Sequence, residues 1–369
     1  MKKPVLETGR ISISQTMLLL FILVNATAVL SAPSIMGKNA GRALWLSPMW
    51  AAITGFAVLV LAIGLHHFFP KKTIIEYGNR LLGPFFGKLA GAAFLLYLLH
   101  QDGIIMREYM EFVVGVFLEK TPVFIILGGM ALLTSFAARG GIEVLGRLGQ
   151  LLVPSTLLIW TLLLLLTFQD WTMTNILPLT VDDVVHSIRG SIAPQTWYTE
   201  FFLVAFLLPY TKHRKGSGRW GTVVIIATVV TLSVVNLICV FVFGNLVPTL
   251  TYPVMTLIRY INIADFFEHI DALLLIIWVV GVFLKLAFFQ YCIMLGTAQW
   301  FNMSDYRPLA LPIGFLTVLL GIWVAPNLQE LTRFISSTDY FYMISFFVVY
   351  PLLLLVIAFI RKRFNQGVS

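Results

Sequence analysis

The chain has 369 residues, 59% hydrophobic and 11% charged, with a mean hydropathy of +0.90. A soluble globular domain carries roughly 25% charged residues, so this composition excludes a water-soluble fold. The formal charge of +8 is dispersed over alternate loops, which argues against a nucleic-acid stripe and for orientation in a bilayer.

Apolar stretches of about twenty residues, enough to cross a bilayer, recur along the whole chain and are separated by loops too short to fold alone. They predict an all-α membrane protein of about ten transmembrane helices, at 12–36, 46–68, 84–117, 122–138, 144–168, 181–210, 222–243, 265–300, 309–324 and 341–360, within one integral membrane domain spanning residues 1–369. The polar segment 1–11 runs into the first span with no A-x-A cleavage site, so that span reads as a retained helix. With the N-terminus inside, Lys71, Lys72, Arg80, Arg139, Arg147, Arg307 and Arg361 face inward. The outer loops keep only Lys38, Arg42, Lys120, Arg189, Arg259 and Arg333, and both termini are expected on the inner side. Acids including Glu119, Asp170, Glu330 and Asp339 fall in or beside the outer loops. Cys239 and Cys292 lie in apolar runs and read as small buried hydrophobes.

The first span is interrupted by Asn25, Thr27, Ser31 and Pro33, and its backbone is expected to open near Asn25-Ala26-Thr27. The sixth repeats the anomaly, with Gly190, Ala193, Pro194, Gln195, Thr196 and Thr199 ahead of the apolar run 201–208. Either the prolines merely kink two packed helices, or the interruptions mark a binding site, and their coincidence five spans apart favours the second reading. Such spacing predicts two inverted five-helix repeats, about 12–168 and 181–360, with helices 1 and 6 broken at the midplane. Groups freed there suit a carboxylate at half-helix N-termini and an ammonium at carbonyls, the two charges of an amino acid.

Asp102, Arg107, Glu108, Glu111, Glu200 and Lys285 fall within the predicted spans and must face the bundle interior. On the third span His100, Arg107 and Glu111 share a face, with Gln101 and Glu108 about a quarter-turn round. Arg107 and Glu111 read as a structural i, i+4 ion pair. Tyr97 and Gln101, near the middle of that span, are better placed for a ligand. Glu200 opens the second half of the sixth span as a candidate gate or proton-linked acid. For Lys285 two readings stand equal: an ammonium set against freed carbonyls of the first span as a cation-site substitute, or a lysine that snorkels or pairs with an acid. Phosphate-binding, dinucleotide and nucleophile-elbow motifs are absent, as is a metal-spaced His/Cys cluster, and adjacent His66 and His67 read as interfacial. No catalytic residue, metal or cofactor is expected, and the chain is not expected to be an enzyme.

Three stretches carry a family resemblance: residues 25–33 with their polar break and Pro33; Trp197-Tyr198-Thr199-Glu200; and Phe267-Glu268-His269-Ile270-Asp271-Ala272-Leu273, followed by Trp278 and Lys285. The chain resembles, over essentially its whole length, the spore germination permeases, the B subunits of GerA-type germinant receptors within the amino acid-polyamine-organocation (APC) superfamily. The wider superfamily usually has Gly-x-Gly in the first break, where this chain has Asn25-Ala26-Thr27, leaving less room for close backbone approach. The resemblance implies a LeuT/APC-like fold and a germinant-sensing subunit in the inner membrane of a bacterial spore. It also implies partnership with an A subunit and a lipoprotein C subunit. The resulting expectation is a small nutrient, such as an amino acid, held between Asn25, Ala26 and Thr27 and Thr196, Trp197 and Tyr198, with Tyr97 and Gln101 as a side wall. The alternative is a proton-coupled amino acid transporter with Glu200 as its coupling acid.

Overall fold

The computed structural model describes residues 6–212, 216–260 and 270–366. Phe267, Glu268 and His269, together with the start of the eighth span at Asp265, lie outside them.

Helix α1, Ile13–Ala40, is buried along most of its length. Ser12 starts it with a capping box: its hydroxyl accepts from Gln15 N at 3.2 Å, and Gln15 Oε1 accepts from Ser12 N at 2.9 Å. The expected opening at Asn25-Ala26-Thr27 is corrected by the structure, because the backbone is helical throughout, Pro33 included. The polar side chains bond within or beside the helix while its backbone stays helical, and Asn25 Oδ1 alone of their polar atoms is buried without a partner among the described residues. Asn25 Nδ2 donates to Phe21 O at 2.9 Å and to Thr228 Oγ1 at 3.2 Å, and Ser31 Oγ donates to Thr27 O at 3.3 Å.

Helices α2 (Ser47–Phe68), α3 (Ile74–Leu82), α4 (Pro84–Val116), α5 (Val123–Arg139) and α6 (Ile142–Leu166) follow. The short amphipathic α3 was not anticipated, although Thr73-x-x-Glu76 forms its capping box and Ile74, Ile75, Tyr77 and Leu81 form its buried face.

The sixth span is interrupted, as its sequence suggests. It comprises α7 (Val181–Gly190), α8 (Ile192–Thr199), a tightened 3₁₀ turn Glu200–Leu203, α9 (Val204–Leu207) and a second such turn, Leu208–Tyr210. Pro194 falls in the first turn of α8, where a missing N–H costs no intrahelical bond, so the break lies upstream at Ser191. At the end of α7, Gly190 comes so close to α1 that a Cβ there would sit 2.6 Å from Ala40 Cβ and 3.1 Å from Met36 O.

The remaining helices are α10 (Ser217–Phe243), α11 (Pro253–Arg259), α12 (Asp271–Phe301), α13 (Ala310–Trp323), α14 (Leu328–Ile344) and α15 (Tyr350–Gln366), with a widened π turn Ser345–Val349 joining the last two. The final helical stretch thus begins at Leu328 rather than at 341, capped by Asn327 Oδ1 accepting from Glu330 N at 2.9 Å. Its first turns carry Gln329, Glu330, Thr332, Arg333, Ser336 and Ser337, a polar density that masks the helix in a hydropathy reading. One consequence is a second correction: Asp339, expected in or beside an outer loop, lies inside α14 and is 4% exposed.

Helix α1 packs against α6, α7, α10 and α12, and α4 packs against α12 and α13. Large apolar side chains such as Val60, Phe85, Phe124 and Leu151 point outward, the inverse of a water-soluble surface. Among the described residues, six apolar helical stretches are long enough to cross a bilayer, and α5 and α13 are shorter apolar helices. The protein is an all-α integral membrane protein with several apolar spans.

Candidate functional site

Three elements meet at Lys285, in the middle of α12. Its Nζ donates to Glu200 Oε1 at 2.8 Å and to Thr27 Oγ1 at 2.9 Å, and both ionisable side chains are 1% exposed. Ions so enclosed are tolerated only when paired and hydrogen-bonded. The pair fastens the tightened turn of the sixth span to α12, and the Thr27 hydroxyl brings in α1. Lys285 is paired with an acid and also meets the first span, through the Thr27 hydroxyl. The backbone of α1 is helical beside Lys285, and a side-chain hydroxyl takes the place the sequence assigned to its carbonyls.

Further acids surround this pair. Gln101 Nε2 donates to Asp339 Oδ1 at 2.8 Å, joining α4 to α14. Tyr97 stacks on Phe346 of the π turn, with ring centroids 4.3 Å apart and planes 9° apart. Glu108 stands within electrostatic range of Lys285, Asp339 and Glu200. Deeper between α4 and α13, Asp102 Oδ2 accepts from Thr317 Oγ1 at 2.6 Å. Arg107 Nη2 lies 2.6 Å from Glu111 Oε1, and Arg107 also donates to Ile322 O at 3.1 Å, which ties α4 to the end of α13.

A cavity of about 670 Å³ opens at the end of the molecule opposite the N-terminus. Its walls come from α1, α4, the 248–252 segment, α12 and α14, with Thr27, Ser31, Glu108, Tyr252, Trp278 and Ser336 among them. Of the contact residues expected from the sequence, Thr27 alone lines it. Asn25 and Ala26 line a separate, mostly apolar cavity of about 210 Å³ with Trp160 and Val234. Thr196, Trp197 and Tyr198 are buried in α8, which packs against α1, α2 and α14. There Thr196 Oγ1 donates to Ala193 O at 2.6 Å, and Tyr198 lies against Gly55 of α2.

The N-terminal end is fastened by a segment to which the sequence reading gave no role. Ile11 N donates to Tyr210 O at 3.1 Å, and Lys212 N donates back to Ile11 O at 2.8 Å. Glu7 is buried and receives four donors: Tyr306 OH at 2.8 Å, Tyr291 OH at 3.3 Å, Gly9 N at 2.7 Å and Ile142 N at 3.3 Å. Burial, reinforced by the Glu7 carboxylate, holds the loop residue Tyr306 well above its ordinary range, so its hydroxyl stays a donor. The first residues thereby tie the end of the sixth span to the start of α6 and to the α12–α13 connection.

A helical membrane bundle with an interrupted span, a central ion pair and a cavity reaching toward it from one end is of the LeuT-like class. The fold matches that of MhsT, solved in complex with L-phenylalanine, at a TM-score of 0.62 and 12% identity over 96% of this chain and 99% of that one. It also matches Mhp1, a nucleobase-cation-symport-1 family transporter, at 0.59 and 11% identity over 94% and 80%. The chain belongs to the spore germination protein family, whose model matches residues 10–330. It is 25% identical to spore germination protein KB of Bacillus subtilis (strain 168) over 97% of both chains. It is also 25% identical to spore germination protein YndE of the same organism, over 96% of this chain and 98% of that one. The family is non-enzymatic.

Proposed function

We propose that the chain is the nutrient-sensing subunit of a spore germination receptor, and that its ligand, a small nutrient such as an amino acid, enters the 670 Å³ cavity and rests against Thr27. One observation carries this reading: the cavity is lined by the residue whose hydroxyl accepts from Lys285, while Lys285 holds Glu200. A ligand at Thr27 therefore competes with, or reinforces, the bond joining α1 to α12 and the interrupted sixth span. Differential contact of that kind is the physical requirement for a ligand to shift a conformational equilibrium. The amino acid bound in MhsT supports the ligand class.

In this reading the chain forms two inverted repeats of about five spans each. The cavity faces outward, both termini face the spore core, and helix rearrangement is passed to an A subunit and a lipoprotein C subunit. Tyr97, Gln101 and the α8 residues Thr196, Trp197 and Tyr198 act behind the cavity, as the packing that transmits the change. A proton-coupled transporter is the second reading, favoured by the enclosure of Glu200 with Lys285, where a carboxylate could exchange its proton as the site opens.

Ligand binding and uptake, measured together on the purified protein in liposomes with a panel of amino acids, test both. Saturable binding without uptake supports the sensor. Uptake abolished by Glu200→Gln makes the chain a transporter, and absence of both overturns the nutrient site.

A further inference from the structure

The buried and half-buried acids around the central lysine differ in one respect. Glu200 is held by Lys285, Asp339 by Gln101, Asp102 by Thr317 and Glu111 by Arg107. Glu108 has no hydrogen bond or ion pair to a described residue, yet it is the acid on α4 that lines the large cavity. The carboxylates of Glu200 and Asp339 act on it together with the single ammonium of Lys285. Lys285 is engaged with Glu200 and Thr27. Three carboxylates around one ammonium gain from a second cation.

The aromatic wall of the same cavity suits that cation. Trp278 and Tyr252 both line it. Trp278 is 4% exposed, and its indole N–H has no acceptor among the described residues. The ring is fixed by Phe112, 4.5 Å away edge-on, and by Tyr109, 6.3 Å away in a stacked arrangement. An indole face beside a carboxylate is a recurrent way to recognise an ammonium. Lys38 of α1 and Arg333 of α14, the latter 4.0 Å from Glu330, also line the cavity. A ligand carrying an ammonium therefore meets Glu108 and the indole of Trp278 on the same cavity wall.

We propose that Glu108 is the specificity-determining group of this cavity, docking the ammonium of an amine-bearing ligand against Trp278. This rests on the cavity being the ligand site, but the ammonium contact can be tested without knowing the nutrient. The probes are n-butylamine hydrochloride and sodium butyrate at matched ionic strength, alongside the amino-acid panel. The readout is thermal stability of the detergent-purified full chain, as wild type, Glu108→Gln and Glu108→Asp. Butylamine and each amino acid that binds are expected to protect the wild type. Butyrate and deaminated acids are not. Glu108→Gln is expected to raise the half-protecting concentration at least about tenfold, and Glu108→Asp, which keeps the charge, to restore part of it.

Equal protection of the wild type and Glu108→Gln, or deaminated acids as effective as their parents, overturns the assignment. Amino acids that protect while butylamine is inert and Glu108→Gln unchanged leave the nutrient site standing without Glu108. Butylamine acting through Glu108 while no amino acid binds upholds the ammonium site and sinks the nutrient reading. If no probe protects the wild type, both fall.

Discussion

Lys285 and Glu200 are each 1% exposed, so their value to the fold is best measured by removing one partner at a time. Lys285→Met leaves a carboxylate in the core without its cation and is expected to destabilise the protein by about 3–5 kcal/mol. The double variant Lys285→Met with Glu200→Gln should recover much of that loss, because no uncompensated charge remains. Denaturation of the four proteins in one detergent decides it, and additive losses would contradict a coupled pair. Thr27→Val removes one acceptor from the same ammonium and is expected to cost about 2 kcal/mol. The sequence located all three residues at membrane depth and offered Lys285 either the first span or an acid, but could not single out Thr27 and Glu200 as its partners, since they lie on spans far apart in the chain. Asp339 was misplaced for a different reason: the polar first turns of α14 resemble a loop to any hydropathy argument.

Among the elements, the sixth span was legible as an interruption because Gly190 and Pro194, an end and a first-turn residue, flank the break at Ser191. The first was not, because the consequence of Asn25, Thr27 and Ser31 depends on which acceptors a folded neighbourhood offers. Asn25 finds Phe21 O and Thr228, and α1 stays whole. The N-terminal segment was the element least visible in sequence, since nothing in its polar residues announces four donors converging on Glu7. Glu7→Ala removes the acceptor they share. Hydrogen exchange at the amides of Ile11 and Lys212 should then accelerate about tenfold or more while amides in the middle of α12 keep their protection, a local opening rather than a global one. Uniform acceleration across the molecule would show that the segment supports the whole fold instead.

For the whole molecule, composition alone sufficed to establish a membrane protein, whereas the cavity arises where α1, α4, α12 and α14 come together and has no signature in any one of them. Orientation is testable with the protein almost as it stands, because Cys239 and Cys292 are both fully buried and give little background to a membrane-impermeant maleimide. In sealed, oriented vesicles the exposed Lys120→Cys is expected to react from the outer side and Arg139→Cys from the inner side. The reverse pattern would invert the bundle. The most direct test of the account uses Ser31→Cys, a position on the wall of the large cavity one helical turn above Thr27. Its maleimide reaction rate is measured with and without a saturating nutrient that the wild type binds. The account predicts a fall of about tenfold or more on occupancy, and an unchanged rate at saturation would place the ligand elsewhere and contradict it.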